Sequence, residues 1–203
     1  MVAVKVVVEG GKAGANADAE FRESWSNLVK RALPGCRSPK FVAAGGRQDA
    51  YKTFLSLLAK HPDNFIILLV DSEDEIATTT SVWQHLSTRQ DDIMERPPNV
   101  TDDHAHLMVR SMECWFLADR DALKSYFQKH FNENALPNNP NIEEIDRHTA
   151  YKSLQNAAKN TTKGTYHKTR DGFKLIGLID PTKVRNVSSF AARFFEVLEQ
   201  KLC

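Results

Sequence analysis

The sequence predicts an α/β fold: a parallel four-stranded sheet flanked by helices, followed by a mainly helical C-terminal extension. Three observations point there. Phe65-Ile-Ile-Leu-Leu-Val70 is an unbroken, β-branched apolar run, the pattern of a strand buried on both faces of a parallel sheet. Residues 2–8 (Val-Ala-Val-Lys-Val-Val-Val) form a second such run. Stretches with helical apolar spacing separate each candidate strand from the next, and parallel strands need crossovers of that length.

Taken in order, the first strand ends at Glu9-Gly10-Gly11, and a small polar loop over residues 12–17 leads to Asp18, the expected N-cap of a helix. From Phe21, the residues Trp25, Leu28, Val29 and Leu33 keep helical spacing, and Pro34-Gly35 closes the helix. Residues 41–44 make a short strand. Gly45-Gly46 then turns the chain into a helix carrying Ala50, Tyr51, Phe54, Leu57 and Leu58, which stops before His61-Pro62. After the strand over residues 65–70, Asp74 or Glu75 is expected to open the helix that carries Val82, Trp83 and Leu86. Residues 90–103 hold two prolines and five acids and read as an exposed loop. Residues 104–109 form the fourth strand, leading into Ser111-Met112-Glu113.

Beyond Ala118 the character changes, so the expected division is an α/β core over residues 1–118 and a helical extension over 119–203. Asp119 caps a helix carrying Leu123, Tyr126, Phe127 and Phe131. A Pro/Asn-rich connection spans residues 132–141. Further helices are expected over 150–158, 171–179 and 188–202, the last with Phe190, Phe194, Val197 and Leu198 on one face.

Composition bounds the function. At 203 residues, 41% hydrophobic and 26% charged, the chain suits one soluble domain with an elaboration, or one domain and a small second one. Lys+Arg 27 against Asp+Glu 26 leaves no global basic excess, so any nucleic-acid surface must be local. The longest apolar run is far short of a membrane span, and the start reads as a charged strand and not a signal peptide. Cys36, Cys114 and Cys203 are odd in number and widely spaced, which argues against a disulfide framework or zinc knuckle and fits a reducing cytoplasm.

The acids carry the chemistry. Glu9 follows the first strand, Asp71 and Glu73 the third, and Glu113 the fourth. In a parallel sheet these positions share the carboxyl edge, where open α/β sheets place their ligands. Converging carboxylates make an oxygen-rich site of the kind Mg²⁺ prefers, and Mn²⁺ also accepts it. The alternative for Asp71 to Glu75 is a solvated loop and helix cap, and Asp74 is assigned to that cap.

Other motifs are weaker. Gly10-Gly11-Lys12-Ala13-Gly14-Ala15 lacks both the P-loop and the dinucleotide-binding spacing. Gly45-Gly46-Arg47 could hold one phosphate at a helix start, although taken alone a plain strand-to-helix turn is the favoured reading. Tyr166, His167, Lys168 and Arg185 fall between expected helices and are candidate nucleic-acid contacts, whereas Lys174 and Lys201 read as solvated helix faces. His104 and His106 would share a strand face but have no third ligand, so a structural or surface role is expected. Trp25, Trp83 and Trp115 lie on apolar faces and read as core.

These residues resemble a known pattern. Val8-Glu9-Gly10 and Asp71-Ser72-Glu73, on this strand order, are similar to the acidic motifs of TOPRIM domains, with Glu73 where that pattern has Asp. The chain also resembles domain-of-unknown-function family 4276, related to RloB-like and OLD-type proteins. That likeness runs through Ala44-Gly45-Gly46-Arg47, Leu69-Val70-Asp71-Ser72-Glu73, Met112-Glu113 with Trp115, Tyr166-His167-Lys168 and Lys183-Val184-Arg185. It implies a Mg²⁺-dependent nuclease effector of a bacterial anti-phage system, acting on DNA or RNA beside an ABC/SMC-like ATPase partner. It implies Glu9 as general acid/base or metal ligand, Asp71 and Glu73 as metal ligands, and Glu113 as accessory acid. The competing expectation is a non-catalytic scaffold or regulator of that ATPase. Homo-oligomer formation is left open.

Overall fold

The computed structural model describes residues 2–11 and 14–203. Lys12 and Ala13, part of the expected polar loop, lie outside the described residues, as does Met1. Four strands, β1 (Val4–Val8), β2 (Lys40–Ala43), β3 (Phe65–Asp71) and β4 (Ala105–Met108), form one sheet in the order β2-β1-β3-β4. All pairs are parallel, with Val8 opposite both Ala43 and Leu69, and Asp71 opposite Met108.

Side-chain alternation along the strands divides the core into two layers. Val4, Val6 and Val8, with Ile67, Leu69 and Met108, pack against Phe21, Trp25 and Leu28 of α1 (Ala15–Ala32). Val7, Ile66, Leu68, Val70 and Leu107 face the other way, toward Phe54 of α2 (Arg47–Lys60) and Trp83 and Leu86 of α3 (Val82–Thr88). Both faces of β1 and β3 are therefore buried, which is why these strands read as continuous apolar runs.

After β4 come α4 (Met112–Leu117), α5 (Arg120–Phe127), α6 (Arg147–Ala158), α7 (Lys168–Leu178), α8 (Pro181–Val187) and α9 (Ser189–Leu202). The extension shares the core of the sheet: Phe173, Ile176, Phe194 and Phe195 belong to the same apolar cluster as Val6 and Trp25. Arg31, in the last turn of α1, donates to the carbonyls of Gly177 and Ile179 at 2.6 Å each, satisfying groups that the end of α7 leaves open.

Several boundaries differ from the sequence expectation. Helix α1 begins at Ala15, after Gly14 at φ 110°, so Asp18 lies in its first turn and is not its cap. No helix opens at Asp74 or Glu75. Helix α3 starts at Val82, where Ser81 Oγ accepts the Gln84 N–H at 3.1 Å. Asp74 pairs instead with Arg89, which anchors the loop after β3. The stretch over residues 90–103 is not a simple exposed loop, because Asp92, Met94 and Val100 are buried within it. Helix α8 occupies residues read as a loop, with Pro181 in its first turn and Asp180 as its cap. Helix α7 starts at Lys168, three residues ahead of the expected start. Cys36 and Cys203 are joined in a disulfide with their Cα atoms 4.8 Å apart, while Cys114 is free and buried. The expectation of unpaired cysteines fails because the fold brings positions 167 residues apart into contact, which spacing along the chain cannot reveal.

Candidate functional site at the carboxyl edge of β1 and β3

The chain leaves β1 toward β2 on one side, and β3 then joins β1 on the other. The crevice at the carboxyl ends of β1 and β3 is thus the switch point at which open α/β sheets bind ligands. Glu9 is the first residue beyond β1 and Asp71 the last residue of β3. The Glu9 N–H continues the ladder to the Leu69 carbonyl at 3.0 Å, and the Asp71 N–H donates to Glu9 Oε2 at 3.1 Å. The loops after β1 and β2 are stitched together through reciprocal bonds between Gly10 and Gly45, both at positive φ (113° and 81°), a conformation that glycine adopts freely.

Asp71 is buried. Its Oδ1 accepts the Met112 N–H at 2.8 Å, at the first residue of α4, and its Oδ2 lies 3.2 Å from Lys168 Nζ. Glu113, also buried, accepts the Tyr166 hydroxyl at 3.0 Å through Oε1 and faces Lys168 Nζ at 3.8 Å through Oε2. One ammonium therefore stands between two carboxylates.

These placements shift the titrations. Burial, with the negative charge of Asp71 added, pushes the Glu9 carboxyl up to about 8 against the pull of Arg47 and Lys168. Burial also raises Asp71, while Lys168 acts to lower it. Asp71 and Glu113 hold the Lys168 ammonium above its ordinary range despite burial. Burial and the Glu113 charge push the Tyr166 phenol well up, so it keeps its proton and donates it.

Around this centre runs a belt of arginines. Arg47, at the start of α2, is buried: its Nε meets Asp92, and its Nη1 meets the Asp71 carbonyl and lies 3.9 Å from Glu9 Oε2. Arg89 bonds the other oxygen of Asp92 at 2.7 Å, Glu73 Oε2 at 2.9 Å, and Asp74. Burial would raise Asp92, but the hydrogen bonds from Arg47 and Arg89 overcome it and hold the carboxyl below its ordinary value. Glu73 sits at φ 63°, and its second oxygen meets Arg147 Nη1 at 2.6 Å.

Of the residues singled out in the sequence, the fold gathers Glu9, Asp71, Glu113, Tyr166 and Lys168. Lys168 is not between helices but is the first residue of α7, directed at the acids. Tyr166 is fully buried, with its ring against Tyr151, so it presents no stacking face to solvent. Glu73 has both oxygens engaged by arginines. Arg47 points inward. His167 is exposed, with Nδ1 3.3 Å from Thr169 Oγ1, and Arg185 lies on α8 over the Phe195 ring at 5.8 Å. His106 is buried and bonds the Asp103 carbonyl at 3.0 Å, the structural role expected of it. Sequence reading missed Arg89, Asp92, Arg147 and His148. The available signal was charge balance, since four acids on one sheet edge demand nearby cations.

A cavity of about 250 Å³ is lined by Asp71, Glu73 and Glu113 together with Arg147, His148 and Lys168. A smaller one of about 120 Å³ lies between Glu9, Asp71 and Lys168. Among the described residues, no three His, Cys, Asp or Glu side chains form a ready-made metal cage. Mg²⁺ does not require one, since it is commonly held by one or two carboxylates with water and phosphate completing its shell. Glu9 Oε2 accepts the Asp71 N–H, and both residues line the smaller cavity, offering hard oxygen donors of the kind that hold a divalent cation.

A family model described as Domain of unknown function (DUF4276) matches residues 19–199. The matched stretch contains Asp71, Glu113 and Lys168 and starts after Glu9. No curated protein and no solved structure matches the chain.

Proposed function

The chain belongs to the DUF4276 family, and we propose that it is a TOPRIM-like, Mg²⁺- or Mn²⁺-dependent phosphodiesterase acting on DNA or RNA. The observation that carries this reading is the juxtaposition of Glu9 and Asp71 at the switch point of the sheet, with Glu113 and Lys168 beside them. Glu9 and Asp71 would hold the cation, with Glu113 adjacent. When bound, that ion supplies charge stabilisation at a phosphoryl oxygen and acidifies a water.

The chain's own groups do the rest. Glu9, with its carboxyl raised to about 8 in the absence of the cation, would release its proton as the cation binds. Tyr166 fixes the orientation of Glu113. Lys168, about half exposed, can turn from the carboxylates to a substrate phosphate. The resemblance to RloB-like and OLD-type proteins extends the proposal to an anti-phage effector with an ABC/SMC-like ATPase partner in the cytoplasm. The Cys36–Cys203 disulfide runs against that compartment, because such bonds are rare in the cytosol. No helix among the described residues is long and apolar enough to cross a membrane.

The test is cleavage of DNA and RNA by purified protein in Mg²⁺. Asp71→Asn is expected to abolish it while the circular dichroism spectrum is unchanged. If that variant cuts as well as wild type at matched purity, the assignment is wrong.

One observation favours a second reading, a non-catalytic scaffold or regulator. Each acid of the edge already has an internal cation: Arg47 for Glu9, Lys168 for Asp71 and Glu113, Arg89 and Arg147 for Glu73. Protein that takes up no Mn²⁺ in calorimetry yet co-purifies with an ATPase would support this reading over the first.

A further inference from the structure

Glu73 and the start of α6 form an arrangement that the metal-dependent reading does not use. Glu73 lies two positions beyond Asp71, where a second cation ligand is expected, yet each of its oxygens faces a guanidinium: Arg147 at 2.6 Å and Arg89 at 2.9 Å. Arg89 is itself held by Asp92, Asp74 and the Ser72 carbonyl, so it ties Glu73 to the buried arginine belt. Arg147 is different. Glu73 is its only partner among the described residues, and its side chain is 39% exposed. A guanidinium carries five N–H donors, so most of those of Arg147 are open to an incoming acceptor. They open onto the cavity of about 250 Å³ that also receives His148 and Lys168. That volume admits a phosphate with part of a nucleoside.

We propose that Glu73 is a positioning residue and not a cation ligand: it braces Arg147 at the mouth of this cavity, where Arg147, His148 and Lys168 receive a backbone phosphate of the nucleic acid. The assignment rests on the phosphodiesterase reading, since it places a substrate phosphate next to Asp71 and Glu113. Charge explains the brace. Asp71 and Glu113 repel an anion, so the seat needs cations fixed in place beside them. The Glu73 carboxylate holds Arg147 through Nη1, which leaves Nε and Nη2 without a partner among the described residues. Lys168, which lines the cavity and holds both acids, serves acids and seat alike, on the carboxylates when the cavity is empty and on the phosphate when it is filled.

The experiment measures two affinities separately in the full chain: Mn²⁺ by calorimetry, and a fluorescent single-stranded oligonucleotide by anisotropy with Mn²⁺ present. Glu73→Gln and Arg147→Ala are expected to leave the Mn²⁺ affinity within about twofold while weakening the oligonucleotide about tenfold, the loss of one charge-assisted contact. Arg147→Ala is also expected to reduce the salt dependence of oligonucleotide binding by about 0.7 in log–log slope, the signature of one lost phosphate contact on a single strand. Arg147→Lys should recover part of the affinity.

If Glu73→Gln loses Mn²⁺ affinity as Asp71→Asn does, Glu73 is a ligand and the proposal falls. It also falls if Arg147→Ala leaves the oligonucleotide affinity and its salt slope unchanged, or if inorganic phosphate competes as tightly as the oligonucleotide binds. Should Glu73→Gln fail to fold, the exposed Arg147 variants carry the test alone. The underlying reading fails differently: wild type that binds the oligonucleotide through Arg147 but never cleaves it keeps the seat and loses the enzyme.

Discussion

Lys168 Nζ lies 3.2 Å from Asp71 Oδ2, although the two residues are 97 positions apart. Helix α7 of the extension thus delivers a cation to the acid that ends β3. The extension is part of the site, not an appendage to it.

Removing that ammonium leaves Asp71 and Glu113 buried and facing each other without it. Lys168→Met is therefore expected to lower stability in chelator by about 1–2 kcal/mol, less than for a fully buried pair because Lys168 is about half exposed. Saturating Mn²⁺ should raise the melting temperature of this variant more than that of wild type, since the ion no longer competes with a lysine. Thermal melts with and without Mn²⁺ check this. An equal shift in both proteins would mean that ion and ammonium do not share a position.

Arg47 is the buried hinge of the arginine belt, joining Asp92 to the Asp71 carbonyl. Arg47→Met should destabilise by roughly 3–5 kcal/mol, the cost of leaving the charge partner of a buried pair behind. Arg47→Lys is expected to rescue little, because an ammonium cannot reproduce the fork that meets a carboxylate and a carbonyl at once. The double variant Arg47→Met with Asp92→Asn should cost less than the sum of the two singles. Urea unfolding of the four proteins measures the coupling, and strict additivity would show that the Arg47–Asp92 contact contributes nothing.

The Cys36–Cys203 bond closes most of the chain into one loop. Thiol titration of the denatured, unreduced protein is expected to find one free thiol, Cys114, and all three cysteines after reduction. Cys203→Ser should lower stability by about 2–5 kcal/mol on the chain-entropy argument for a long loop. Three free thiols without reductant would remove the bond from the account.

What could be read from the chain follows from what is local. The runs that became β1 and β3, and the acids at their ends, were legible because two-sided burial writes itself as consecutive apolar residues. The cap at Asp119 was legible for the same reason, since its carboxylate accepts the Ala122 N–H three residues on. Side-chain reach was not. Arg89 and Asp92 stand in a polar, proline-containing stretch and gave no sign of burial. Arg147 was ahead of the expected start of its helix, and its partner Glu73 lies 74 residues earlier. Glu73 itself shows the limit most clearly. Its spacing from Asp71 suggests a ligand pair, and only the fold reveals the two guanidinium groups that engage it.

His106 offers a pH test away from the acids of the candidate site. It lies on β4 with Nε2 bonded to the Asp103 carbonyl at 3.0 Å and its ring edge-on to Phe194 at 5.4 Å. Burial is the main cause lowering its pKa from 6.5 to about 4; Arg193 and His104 add to the shift, while the Asp103 carbonyl and charge oppose it. The folded pKa is below the unfolded one, so the unfolded chain takes up the proton first as pH falls. The contribution to stability is therefore complete above pH 6.5, is lost progressively toward pH 4, and changes no further below that. It amounts to roughly 3 kcal/mol across the window. Glu9 works in the opposite sense, because its folded pKa is raised from 4.5 to about 8: its contribution is complete below 4.5 and is lost as pH rises through 8. The two must be separated by difference. His106→Gln removes the first and leaves the second, so the stability gap between wild type and variant should shrink by about 3 kcal/mol between pH 7.5 and pH 4, measured by denaturant unfolding. Parallel curves over that range would mean that His106 titrates alike in the folded and unfolded chains.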